Sequence, residues 1–129
     1  MGRSTWLVLA LASAGPALAA SPSLPQRVGD CTRTSVARVG TRLQDGSTGQ
    51  DIPGSGAAVS FRNGGYQVSY EEDEAVAASH PGDPVLMCLV KLPDHCPPGD
   101  ERGRVYTTTN LRTLRSWTLP DAEHTCGGA

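Results

Sequence analysis

Four cysteines, Cys31, Cys88, Cys96 and Cys126, are spread along a chain of 129 residues. Whether they pair limits the possible folds more than any other feature, and pairing depends on compartment. The N-terminus answers that question first. Arg3 supplies a positive start, Trp6 to Ala12 (WLVLALA) an apolar run, and Ala17-Leu18-Ala19 a small-x-small cleavage site. This is the pattern of a secretory signal peptide. The run is well short of the ~20 residues a membrane span needs, and Gly15-Pro16 interrupts it. We therefore expect residues 1–20 to be a removed signal peptide and residues 21–129 to form a single disulfide-stabilised β domain. No membrane anchor is expected after cleavage, and Cys31 lies too far from the cleavage site to carry a lipid.

An even cysteine count in a short exported chain reads as two disulfides. Three pairings are open. Cys31–Cys126 with Cys88–Cys96 would tie the termini and clamp the loop after a strand, and is the pairing we favour. Cys31–Cys88 with Cys96–Cys126 is its close rival, and spacing does not separate them.

Size and charge narrow the class. A domain of about 109 residues buries roughly two-thirds of its unfolded surface, enough for one modest core. The formal charge is −2, and becomes −3 once Arg3 is removed. Mild acidity argues against nucleic-acid binding, which needs a basic patch. Basic residues are almost all arginine, with Lys91 the only lysine. A monomer without cofactor is expected.

Local patterning predicts about six antiparallel strands and one short helix, as a mainly β barrel or sandwich. Residues 21–30 read as an extended leader. Thr32 to Gln44 alternates and is β-branched, which suits a first strand. Residues 45–56 are a Gly/Ser/Asp loop. In Ala57 to Tyr70, Asn63-Gly64 is the preferred pair for a two-residue type I′ turn. That turn would place Phe61 opposite Tyr66, Val59 opposite Val68 and Ala57 opposite Tyr70. All six would share one face, with Ser60, Gln67 and Ser69 on the other. Glu71 to Ser79 opens with acids and continues with Ala, predicting about two turns of helix. Val85 to Leu92 is apolar at both parities, predicting a central strand covered on both faces. Pro93 ends it. After the stiff loop 94–103 (DHCPPGDERG), Arg104 to Asn110 and Leu114 to Leu119 read as a second hairpin. Val105, Thr107 and Thr109 share one of its faces, and its turn leaves the register open.

The segments GDPVLMCLV (82–90), CPPGDERGRVY (96–106), TTNLRT (108–113) and SWTLPDAEHTCGGA (116–129) resemble small exported proteins of unknown function from α-proteobacteria. The resemblance implies a periplasmic or secreted bacterial protein and assigns no residue a role. The order of three strands, a helix and further strands is also similar to an OB-type Greek-key barrel.

No catalytic signature stands out. His95-Cys96 and His124-Thr125-Cys126 lack the close Cys/His spacings of zinc sites, and disulfide pairing is the simpler use of their cysteines. Asp121, Glu123 and His124 sit in a polar tail without a nucleophile nearby. Ser55 lies between glycines but not in a G-x-S-x-G elbow, and the glycine-rich loop has no P-loop lysine. The acids of residues 71–74 suit a helix start better than a calcium loop.

The strongest candidate site is an arginine and aromatic group around the second hairpin. Its residues are Asp100, Arg102, Arg104, Tyr106 and Arg112, with loop 94–103 stiffened by Pro97-Pro98. Arginine with aromatics favours anions and sugars. The expected function is a non-catalytic binding module of the cell envelope, taking a glycan, a small ligand or a protein. An inhibitor of a lytic enzyme is one form of it. The alternative is a small hydrolase or metal enzyme using His95, His124 and nearby carboxylates.

Overall fold

In the computed structural model, residues 1, 2, 15 and 23–128 are described. The segment expected to be a signal peptide lies outside them, apart from residues 1, 2 and 15. Six strands and one helix follow in order: β1 (Cys31–Gly40), β2 (Ala57–Phe61), β3 (Tyr66–Ser69), α1 (Glu74–Ala77), β4 (Pro84–Lys91), β5 (Val105–Asn110) and β6 (Ser116–Pro120). They form one antiparallel sheet in the order β3-β2-β1-β4-β5-β6. The sheet curls into a half-barrel with α1 between the third and fourth strands, where an OB-type barrel carries its helix.

The curl comes from β1. Its first half, Cys31 to Ser35, pairs with β4, and its second half, from Val36, pairs with β2. A register irregularity between Val36 and Arg38 marks the change of partner. Such irregularities sharpen local twist, so one long strand serves two parts of a curved sheet. β3 and β6 are left as the two edges. Pro120 has no N–H to give a further strand, which suits an edge position.

The concave side holds the core. Val36, Val59, Phe61, Val76, Val85, Met87, Leu89, Tyr106 and Trp117 form one buried cluster, with Leu24 of the leader packed against it. Each large side chain buried this way stabilises the fold by roughly 1.5–3 kcal/mol. α1 closes one end through Ala75 and Val76. It is one turn only, shorter than the sequence predicts. Asp73 starts it by accepting from the N–H groups of Ala75 and Val76, so the acids before Asp73 lie outside the helix.

Three further expectations change. The first hairpin is shifted by one residue. Ser60 pairs with Tyr66, Val59 with Gln67, Ala58 with Val68 and Ala57 with Ser69. Phe61 N donates to Gly65 O and Gly64 N to Phe61 O, so the loop holds three residues, with Gly64 at φ 85°. A type I′ turn needs a positive φ at both central residues, and Asn63 has none. A shift of one residue moves each side chain of β3 to the opposite face. Gln67 enters the core, and Tyr66 and Tyr70 go outside.

β4 is covered on one face only. Val85, Met87 and Leu89 are fully buried, whereas Leu86 and Cys88 are half-buried and Val90 is exposed. The outer apolar residues therefore hide an ordinary alternation.

The disulfides are Cys31–Cys88 and Cys96–Cys126, which overturns the pairing favoured from sequence. β1 and β4 are neighbours and place Cys31 directly opposite Cys88, with Cα atoms 4.0 Å apart. The second bridge ties loop 94–103 to the C-terminal tail. The two disulfides mark an oxidising, non-cytoplasmic environment.

Candidate functional site

Loop 94–103 and the tail form one knotted surface. Besides the Cys96–Cys126 bridge, Cys126 N donates to Arg102 O at 2.8 Å and Gly103 N to Asp121 Oδ1 at 2.8 Å. Asp100 accepts from Arg102 Nε and Nη2, both at 2.9 Å, and from Gly127 N at 3.0 Å. Arg102 foremost, and then the Gly127 N–H, hold the Asp100 carboxyl well below its usual range. The Arg102 side chain is still about half exposed.

The sequence group is divided by the fold. Asp100, Arg102 and Arg104 come together at this loop. The Arg104 side chain is only 13% exposed, pairs with Glu101 at 2.9 Å, and lies 3.4 Å from Gln26 Oε1. Its Nε is buried without a partner. Tyr106 is 2% exposed and belongs to the core cluster, so it offers no surface to a partner. On β5 the inward residues are Tyr106, Thr108 and Asn110, with Val105, Thr107 and Thr109 outward. Burial pushes the Tyr106 phenol up.

Arg112 lies at the opposite end of β5. It donates to Asp83 Oδ1 at 2.6 Å and Oδ2 at 2.9 Å, and to Ala78 O at 3.0 Å. Asn110 Nδ2 reaches Asp83 Oδ2 and Ser79 Oγ, both at 2.9 Å. This node anchors the segment after α1 to the β5–β6 turn. Arg112 keeps the Asp83 carboxyl well below its usual range against the opposing effect of burial. Ser79 is buried and donates to Ala75 O, so its hydroxyl is held by a backbone carbonyl.

A second surface was missed from sequence because it follows from the hairpin shift. Tyr66, Val68 and Tyr70 project from the outer side of β3. Tyr66 is 38% and Tyr70 55% exposed, whereas Val68 is buried between them. Arg42 lies across this face, its guanidinium 4.3 Å from the centroid of the Tyr70 ring. Gly56 lets the backbone at the end of β3 approach closely. It has φ 110°, and a Cβ there would strike the Ser69 carbonyl. Arg42 Nη1 also lies 3.6 Å from Glu123 of the tail. Partial burial, then the Glu123 carboxylate, raise the Tyr66 phenol above its ordinary value. Between β3 and the tail runs a groove of about 320 Å³, bounded by Val68, Tyr70, Glu71, Leu119, Ala122 and Glu123. The tail thus connects the tyrosine face, through Glu123, to loop 94–103, through Cys126. Gly64 was the available signal, because it suits the left-handed position of a three-residue loop as readily as that of a two-residue turn.

His95 and His124 are both exposed. Among the described residues, no group of three or more His, Cys, Asp or Glu side chains could hold a metal ion. No helix among them is long and apolar enough to cross a membrane. The class that the fold defines is a small β half-barrel with two disulfides. Compared with known proteins, the chain matches no family model, no curated protein and no solved structure.

Proposed function

We propose that this chain is an exported, non-catalytic binding module of a bacterial cell envelope, and that its partner is an envelope glycan or protein. The observation that carries the reading is the outward pair Tyr66 and Tyr70 on a strand crossed by Arg42. Large aromatic rings left at the surface beside arginine suit sugar rings and protein anchors. The two disulfides and the knot of loop 94–103 with the tail hold the surrounding backbone in place, so little ordering accompanies binding. Arg102, half exposed at that loop, is the basic group of the original set best placed to add a contact. The N-terminal pattern supports export, and the α-proteobacterial resemblance suggests the envelope as setting.

The test is co-sedimentation of the purified protein with peptidoglycan sacculi, alongside capture of envelope proteins from a periplasmic extract. Tyr66→Ala with Tyr70→Ala is expected to abolish capture in whichever arm is positive. Stability is expected to move by about 1 kcal/mol per site, since both rings are partly covered and Tyr70 stacks on Arg42. Capture that survives both substitutions refutes the assignment of this face.

A further inference from the structure

The groove between β3 and the tail combines three properties that select a partner. Its floor is apolar, from Val68, Leu119 and Ala122. Its wall is Tyr70, an exposed phenol ring. Its rim carries the carboxylates of Glu71 and Glu123. At about 320 Å³ it falls at the lower end of the roughly 300–1,000 Å³ of ligand clefts.

The molecule already shows what this chemistry accepts. Arg42 lays its guanidinium 4.3 Å from the Tyr70 centroid while approaching Glu123 to 3.6 Å. One face of the ring and one carboxylate are thus used by an internal cation. Glu71 is exposed and, among the described residues, makes no ion pair. A negative excess therefore remains at the open end of an apolar slot. Lysine and arginine side chains match it, because an aliphatic stem can lie on apolar surface while the charged head stays at the rim.

We infer that this groove is a docking site for a basic protein segment. A lysine or arginine of that segment lays its stem along Leu119 and Ala122 and its head beside Glu71 and the Tyr70 ring. The inference rests on the binding-module reading and specifies its partner as protein. A neutral glycan would use the tyrosines and leave the carboxylates idle.

The experiment titrates the purified protein against a fluorescein-labelled seven-residue peptide alternating valine and lysine, read by anisotropy. A peptide alternating valine and glutamate is the control. The lysine peptide is expected to bind and the glutamate peptide to fail. Glu71→Gln is expected to weaken binding about fivefold, the value of one fully solvated charge contact at ~4 Å. Asp94→Asn, which removes an equal charge from an exposed site elsewhere, is expected to change it less than about twofold. Amide shifts in NMR should centre on Val68, Glu71 and Ala122. The inference is overturned by no binding of the lysine peptide, by equal binding of both peptides, or by equal losses in the Glu71 and Asp94 variants. Sacculus capture that needs Tyr66 and Tyr70, with no peptide binding, would overturn it while leaving the binding-module reading in place. Failure of both assays would remove both.

Discussion

Gln67 is the polar centre of the core, and replacing it tests the shifted hairpin register. Its amide oxygen accepts from Trp117 Nε1 at 2.8 Å and from Thr108 Oγ1 at 2.7 Å. Its amide nitrogen donates to Tyr106 O at 2.8 Å and to Leu119 O at 3.0 Å. All four hydrogen-bonding positions are therefore used, and the bonds join edge strand β3 to β5 and β6. Gln67→Leu leaves the Trp117 N–H buried without an acceptor, which costs about 1–3 kcal/mol. Thr108 loses a partner too, but its hydroxyl can rotate, so its share falls at the low end. Tyr106 and Leu119 face each other in the β5–β6 ladder, so their carbonyls lose only a second donor. The expected net loss is about 2–4 kcal/mol, a large fraction of a stability of roughly 5–15 kcal/mol. Urea unfolding followed by tryptophan fluorescence would measure it, with an unchanged slope confirming that only stability moved. Gln67→Glu gives a sharper check. A carboxylate cannot donate to the two carbonyls, so folding favours its protonated form and raises its pKa. Stability is then fully present below the unfolded value of about 4.3 and is lost as pH rises above it. A Gln67→Leu deficit under about 1 kcal/mol, or a pH-independent Gln67→Glu deficit, would refute the network.

Non-reducing peptide mapping should find Cys31 joined to Cys88 and Cys96 to Cys126. Opening either bridge by Cys→Ser pairs should cost roughly 4 kcal/mol, given loops of 57 and 30 residues. The folded pKa of Asp83 is depressed, so its contribution is present above the unfolded value of about 3.9 and disappears as pH falls below it. Urea midpoints should therefore drop below about pH 4, and Asp83→Asn should flatten that slope while costing about 1.5–3 kcal/mol at neutral pH, the value of charged hydrogen bonds lost beside a half-exposed Arg112.

Much of the architecture is legible in the amino-acid order because it depends on neighbours in the chain. Alternation marks the strands, Asn63-Gly64 marks a hairpin, and the acids and alanines from Glu71 to Ala78 mark a helix, though a shorter one than they predict. The even cysteine count marks two bridges. Apart from the length of α1, which the local Asp73 cap sets, the details that differ depend on residues far apart in sequence. Asn63-Gly64-Gly65 supports two loop lengths, and the choice between them falls to Gln67. The longer loop brings its amide to Trp117 and Thr108, 50 and 41 residues away. That same choice turns Tyr66 and Tyr70 outward and creates the candidate surface. Of the five site residues expected from sequence, three meet at loop 94–103. β5 parity sends Tyr106 inward, and the demand of buried Asp83 for a cation takes Arg112. The cysteine pairing was likewise undecidable from spacing, because any two of the four can meet if the chain turns suitably. Only the partner change along β1 sets Cys31 against Cys88 and leaves Cys96 to Cys126. Local sequence determined which elements form, since dihedral preference and periodicity act over a few residues. Tertiary structure decided which faces are buried, since that is settled by satisfying polar groups and closing a curved sheet across the whole chain.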